Sequence, residues 1–222
     1  MRAAIKIQEE RIDVFGLHTS YKKNMDNLLT KTTELAMAVT SAYVREGDFV
    51  IDATCGNGHD TYALAKMVGS KGMVLATDIQ EPAITKAKRL IVQEGIDNVT
   101  FVQSDFRFLR RLSEEVSGDK APSAVVFNLG YLPGGDKDVT TKAEDTCFAV
   151  EEALRMIRIG GIVTVVLYSG HTEGAKEKSA LMNWAEQLPG SLFHVVYANM
   201  LNQKNAPPEI LWITRKKSEK VG

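Results

Sequence analysis

From residue 47 onward, short apolar runs alternate with longer segments whose apolar residues recur at helical spacing. The runs Phe49–Ile51, Gly72–Asp78, Val99–Gln103, Ala124–Asn128 and Ile162–Tyr168 predict five strands. Ile162–Tyr168 is apolar almost without interruption, as expected for a central strand covered on both faces. Between the strands, one predicted helix runs from Gly58 through Leu64 and Met67. Another opens at Pro82, whose fixed ring suits a first helical turn. A long helix spans about Lys142 to Arg158 before Gly160-Gly161, and a further one spans about Glu173 to Gln187. The last two runs, Phe193–Ala198 and Glu209–Thr214, are joined only by the polar loop Asn202–Pro208, which predicts an antiparallel hairpin. Upstream, Leu28, Leu35, Val39 and Ala42 lie near helical spacing, so residues 24–46 are expected to be helical. The pattern predicts an α/β, Rossmann-like, mostly parallel seven-stranded sheet with helices on both faces and a C-terminal antiparallel hairpin. It predicts one domain over residues 1–222, with a helical extension over 1–46 and a core over 47–215.

In such a sheet, ligands bind beyond the carboxyl ends of the strands, so the strand ends matter most. The first strand runs into Asp52-Ala53-Thr54-Cys55-Gly56-Asn57-Gly58-His59-Asp60-Thr61, a glycine turn that opens a helix. A dinucleotide fingerprint would place a third glycine where Thr61 stands, and a pyrophosphate would meet the carboxylate of Asp52. A sulfonium cofactor with an ammonium group would find that carboxylate attractive. The turn therefore points to S-adenosylmethionine, with Asp52 suited to its methionine end; Gly56, Asn57 and Gly58, with Asp60 and Thr61 where helix-capping side chains belong, are the other cofactor-binding residues expected of the turn, joined by Phe106 and Asn128 from later strand ends. Asp78 ends the second strand, where it is suited to the ribose hydroxyls, with Ile79 beside it to pack on adenine. Ser104-Asp105-Phe106 ends the third, with Asp105 suited to the adenine amino group. Any one of these aspartates could be an ordinary turn residue. Three at successive strand ends indicate a class I S-adenosylmethionine-dependent methyltransferase scaffold.

The fourth strand ends in Asn128-Leu129-Gly130-Tyr131-Leu132-Pro133-Gly134-Gly135. The segment resembles the Asn-Pro-Pro-Tyr motif of amino-group methyltransferases, in which the Asn accepts hydrogen bonds from the target amine and the aromatic ring stacks on its base. Here Gly130 replaces the proline. Methyl transfer needs a nitrogen lone pair, so an alkylammonium must first lose a proton. Tyr131, Asp136 and His171 are the candidate bases. His171, in Tyr168-Ser169-Gly170-His171, could equally cap the following helix. No cysteine lies in 128–135 to serve as a nucleophile, and Cys55 and Cys147 read as packing residues.

Composition narrows the class without naming a partner. Hydrophobic content is 44%, charged content 25% and net charge −1, which gives no global electrostatic reason to expect nucleic acid. Local basic clusters at Lys22-Lys23, Arg107 with Arg110-Arg111, and Arg215–Lys217 leave an RNA substrate open. No apolar run approaches the ~20 residues of a membrane span, and no secretory signal opens the chain. Two cysteines exclude a disulfide framework, and no metal site is expected. A reducing cytoplasm is the expected compartment.

Taken together, Asp52–Thr61, Phe127–Lys137, Tyr168–His171 and Asn202-Gln203-Lys204-Asn205-Ala206-Pro207-Pro208 closely resemble the bacterial rRNA-methylase-like family of the YtqB/MnmM type, over about residues 28–215. The resemblance implies methylation of the aminomethyl nitrogen of 5-aminomethyl-2-thiouridine at the tRNA wobble position. It implies the tRNA anticodon region as partner and a homodimer as a candidate assembly. Asn128, Tyr131, Asp136 and His171 would then be catalytic, with Tyr168, Asn202 and Asn205 joining Tyr131 and His171 on the substrate. A flexible aliphatic acceptor would explain the missing proline before Tyr131. An rRNA or small-molecule N-methyltransferase, and a non-catalytic S-adenosylmethionine-binding module, are the alternatives on the same fold.

Overall fold

The computed structural model describes residue 29, residues 31–130 and residues 142–216. Seven strands form one sheet in the order β3-β2-β1-β4-β5-β7-β6. They are β1 (Phe49–Asp52), β2 (Met73–Asp78), β3 (Val99–Gln103), β4 (Ala124–Asn128), β5 (Ile162–Leu167), β6 (Phe193–Ala198) and β7 (Glu209–Arg215). The first five are parallel, and β7 lies antiparallel between β5 and β6. Chain order reverses beside β1, which pairs with β2 on one side and β4 on the other. A crevice opens at that reversal.

Alternation along the strands divides the core in two. Phe49, Ile51, Val125, Phe127, Val163 and Val165 face one side of the sheet, while Val50, Ala124, Val126, Ile162 and Val166 face the other. The first side packs against α4 (Leu109–Ser117), α5 (Ala143–Met156) and α6 (Thr172–Ala185). The second packs against α1 (Thr32–Ser41) and α2 (His59–Val68), and α3 (Glu81–Gln93) closes a smaller cluster beside it through Ile84 and Ala87. Thr164 is a polar exception in β5. Its hydroxyl sits 2.7 Å from that of Thr40 on α1, and both side chains are buried.

Several boundaries differ from the periodicity. The N-terminal helix stops at Ser41 rather than 46, because the N–H groups of Ala42, Tyr43 and Val44 turn to carbonyls three residues back and tighten the chain. α5 stops at Met156, short of Arg158. Ile157 takes an extended conformation with its side chain fully buried, and the Arg158 N–H pairs with the Pro122 carbonyl. α4 is absent from the reading above. Its apolar spacing Leu109, Leu112, Val116 is helical, and Arg110–Glu114 and Arg111–Glu115 pairs support it. Among the described residues no helix is long and apolar enough to cross a membrane.

Candidate active site

A cavity of about 650 Å³ opens over the carboxyl ends of β1, β2, β3 and β4. At its centre the chain leaves β1 through a tight turn. The Cys55 N–H donates to the Thr77 carbonyl, the Gly58 N–H to the Cys55 carbonyl, and the Thr77 hydroxyl to the Ala53 carbonyl. Gly58 has a φ of +87°, and a Cβ there would lie 2.8 Å from the Ala87 Cα, so α3 packs against bare backbone. The close helix approach that a dinucleotide fold assigns to its third glycine is made here by the second. On the far side, the Thr54 hydroxyl accepts from the Asn128 N–H at 2.6 Å and ties the turn to β4.

Asp78 lines the cavity and braces the turn. Its two oxygens accept from the Gly56 and Gln80 N–H groups, both at 2.9 Å. Burial pushes its carboxyl up, against those hydrogen bonds. Ile79 lines the same wall and is 53% exposed. Asp105, Phe106 and Arg107 form the next wall. Partial burial works against the Asp105 carboxylate, but hydrogen bonds from the Arg107 backbone and guanidinium outweigh it and hold the carboxyl below its ordinary value. Phe106 stands edge-on to Phe127 at 6.1 Å between ring centres. Asn57 also faces the cavity, and its Oδ1 is buried with no hydrogen-bond partner.

At the β4 end, Asp60, Asn128 and Tyr168 form a connected group. The Asn128 amide donates to Asp60 Oδ2 at 3.2 Å, and the Tyr168 hydroxyl hydrogen-bonds Asn128. Gly130 follows with a φ of +133°, and a Cβ there would lie 3.4 Å from the Tyr168 ring. The missing proline therefore has a backbone reason, since a pyrrolidine ring cannot adopt that φ. Acceptor flexibility is not needed to explain it.

Asp52 is 1% exposed and lies beneath the turn rather than in the cavity wall. It accepts from the Thr61 hydroxyl at 2.6 Å and the Thr54 N–H, so both of its oxygens are engaged within the turn. Asp60 and Thr61 do not cap α2, whose N-cap is Gly58 with no side-chain cap. Thr61 serves Asp52, and Asp60 faces the cavity. His171 caps α6 by accepting the Gly174 N–H on Nδ1 and is not part of the cavity wall. Tyr131 and Asp136 lie outside the described residues. Asn202 and Asn205 sit exposed in the β6–β7 loop, also away from the wall, although Ala206 of that loop comes within reach of Gly170. Glu209 anchors this region by accepting from Ser169, Lys178 and the Tyr197 hydroxyl.

The cavity also includes residues that the sequence does not flag: Thr33 of α1, Lys142 and Asp145. Asp145 pairs with Arg107 at 3.2 Å. Its contribution is visible only once α5 is placed beside β3's end.

The arrangement fits a cationic nucleoside cofactor. Carboxylates at Asp60 and Asp78, with Asp52 below, would repel a pyrophosphate. The orphaned Asn57 oxygen calls for a donor, which an ammonium or hydroxyl supplies. The family model described as "Putative rRNA methylase" matches residues 74–214, and that of protein-L-isoaspartate(D-aspartate) O-methyltransferase matches residues 19–108. The chloroplastic tRNA (mnm(5)s(2)U34)-methyltransferase of Arabidopsis thaliana is 37% identical over 191 residues, covering 83% of this chain and 70% of that protein. A "putative rRNA-methylase" structure from Clostridium thermocellum is 34% identical with a TM-score of 0.79, covering 83% of this chain and 97% of that one. A Streptococcus mutans "putative methyltransferase", solved in complex with SAH, is 31% identical with a TM-score of 0.73, covering 83% and 98%.

Proposed function

Since the chain belongs to the "Putative rRNA methylase" family, we propose that it is an S-adenosylmethionine-dependent tRNA methyltransferase that methylates the aminomethyl nitrogen of 5-aminomethyl-2-thiouridine at the wobble position. The observation that carries this reading is one continuous cavity with a nucleoside-sized wall, Asp78 to Phe106, at one end and the polar group Asp60-Asn128-Tyr168 at the other. The likeness to the Arabidopsis tRNA enzyme supports the choice of acceptor. The O-methyltransferase model ends at residue 108, so that match covers the cofactor half and leaves the acceptor end distinct.

In this reading Asp78 holds the ribose hydroxyls, Asp105 the adenine amino group, and Ile79 and Phe106 the faces of the base. Asn57 and the Gly56–Gly58 backbone take the amino-acid end, over buried Asp52, whose ionised form a bound cation would favour. Bound there, S-adenosylmethionine supplies an electrophilic methyl group on a sulfonium. Asn128, held by Thr54 through its backbone and by Asp60 and Tyr168 through its side chain, fixes the acceptor nitrogen for in-line approach. The proposal includes the tRNA anticodon region as partner, a homodimer as assembly, and a reducing cytoplasmic compartment, which suits two free cysteines.

Nucleoside mass spectrometry of tRNA from a strain lacking the gene tests the function. The unmethylated aminomethyl nucleoside should accumulate, and the purified protein with S-adenosylmethionine should convert it. An unchanged nucleoside profile refutes the assignment.

A further inference from the structure

The acceptor is an aliphatic amine, protonated at neutral pH, and the reaction needs it deprotonated. Two of the bases read from the sequence lie outside the described residues, and His171 is committed to capping α6. The described cavity wall contains four carboxyl groups: Asp60, Asp78, Asp105 and Asp145. Asp78 accepts from the N–H groups of Gly56 and Gln80 and stands at the β2 end, on the nucleoside wall. Asp105 and Asp145 are both paired with Arg107. Asp60 alone of these four stands at the β4–β5 end, against Asn128.

Resting on the amine-methyltransferase reading above, the geometry points to Asp60 as the group that binds the substrate's ammonium and accepts one of its protons, with Asn128 and Tyr168 as positioning residues. The first turn of α2 carries Asp60 into the wall, where the Asn128 amide from β4 holds Oδ2 and Tyr168, just after β5, holds Asn128. Charged and titratable groups around it are His59 on the same helix, Asp52 at the end of β1, and Tyr168. Burial raises the Asp60 carboxyl from its ordinary value, against the hydrogen bond from Asn128 and the attraction of His59. A carboxyl raised this way is a better proton acceptor than a solvated aspartate.

An N–H bond of the ammonium breaks and its proton moves to Asp60, leaving the pair on nitrogen. That pair forms the new N–CH₃ bond while the S–CH₃ pair stays on sulfur. The product leaves as a methylammonium, and Asp60 releases its proton to solvent.

The test uses the full chain, its Asp60→Asn and Asp60→Glu variants, and tRNA carrying the aminomethyl nucleoside. Calorimetry measures S-adenosylmethionine affinity, and single-turnover methyl transfer is followed from pH 6 to 10. At S-adenosylmethionine concentrations that calorimetry shows to be saturating for each protein, Asp60→Asn should lose roughly 100-fold or more in transfer rate at pH 7. Its rate should then climb about tenfold per pH unit as free amine appears. Asp60→Glu, which keeps a carboxylate, should recover part of the rate at pH 7. A variant rate and pH profile matching wild type overturns the proposal, as does cofactor affinity lost with transfer intact at saturation. An Asp60→Glu profile identical to that of Asp60→Asn also overturns it. Wild-type protein that methylates no tRNA overturns the functional reading itself, which separates the two failures.

Discussion

Asp52→Asn is expected to stabilise the cofactor-free protein, and to do so only above mildly acidic pH. Asp52 is fully buried beneath the glycine turn, and burial, aided by the nearby Asp60 carboxylate, pushes its carboxyl up from 3.8 to about 7. The unfolded chain loses that proton near pH 4, while the folded chain keeps it to about pH 7. The unfolded state therefore binds fewer protons across this window, and stability falls as pH rises through it. Stability is fully retained below the unfolded value and lost by the time pH passes the folded value. At about 1.4 kcal/mol per pH unit, the wild type should lose roughly 3 kcal/mol between pH 5 and pH 8.5 from this group. Asparagine keeps an oxygen for the Thr54 N–H, and its amide can donate to the Thr61 hydroxyl, so the local hydrogen bonds survive. Urea denaturation of both proteins at several pH values measures the difference. The gain of the variant over wild type should grow by about 3 kcal/mol over that range. Asp60 and Asp78 titrate in both proteins and largely cancel. A gain that is flat with pH would show that the buried carboxyl is not held protonated, and the reasoning would fall.

Two further substitutions address the scaffold. Gly130→Pro restores the residue found in related amine methyltransferase motifs, yet here it should reduce kcat/KM by roughly 100-fold, because the chain must leave β4 at a φ of +133°. Wild-type kinetics with an unchanged circular dichroism spectrum would contradict this. Thr40→Val should cost about 1–3 kcal/mol by leaving the Thr164 hydroxyl buried without its partner, and Thr164→Val added to it should recover most of that loss. Additive single-mutant costs in denaturation midpoints would argue against a shared hydrogen bond.

Much of the fold was written in the apolar pattern. The short run Ile162–Leu167, rich in β-branched residues and opened by Gly160-Gly161, reads as a strand with both faces covered, and a last pair of strands with no helix between them has to turn back. The glycine turn was equally plain. What the pattern could not carry was depth. Asp52 and Asp60 are eight positions apart in one motif, and nothing local says that one sits under the turn while the other faces the cavity. That difference depends on the Thr61 hydroxyl turning inward and on Asn128 arriving from β4, a contact across 68 positions. His171 was ambiguous for the same reason, since its role depends on where α6 starts. The α4 helix was a different kind of omission: its spacing was present, but four charged side chains in nine residues hid a narrow apolar stripe.

The position of β7 bears on how this molecule is made. Among the described strands β6 is hydrogen-bonded to β7 alone, and β7 separates it from β5. A chain growing from its N-terminus on a ribosome thus produces β6 before anything exists for it to pair with. Until residues 209–215 emerge, β5 also lacks its outer neighbour, leaving two unpaired strand edges, one of which bears Val195 and Val196 on an exposed stretch. The strands that carry the cofactor wall have by then all been synthesised. The half of the sheet beneath the proposed nucleoside wall is complete early in translation, and the half beside the proposed acceptor end closes only with the last strand.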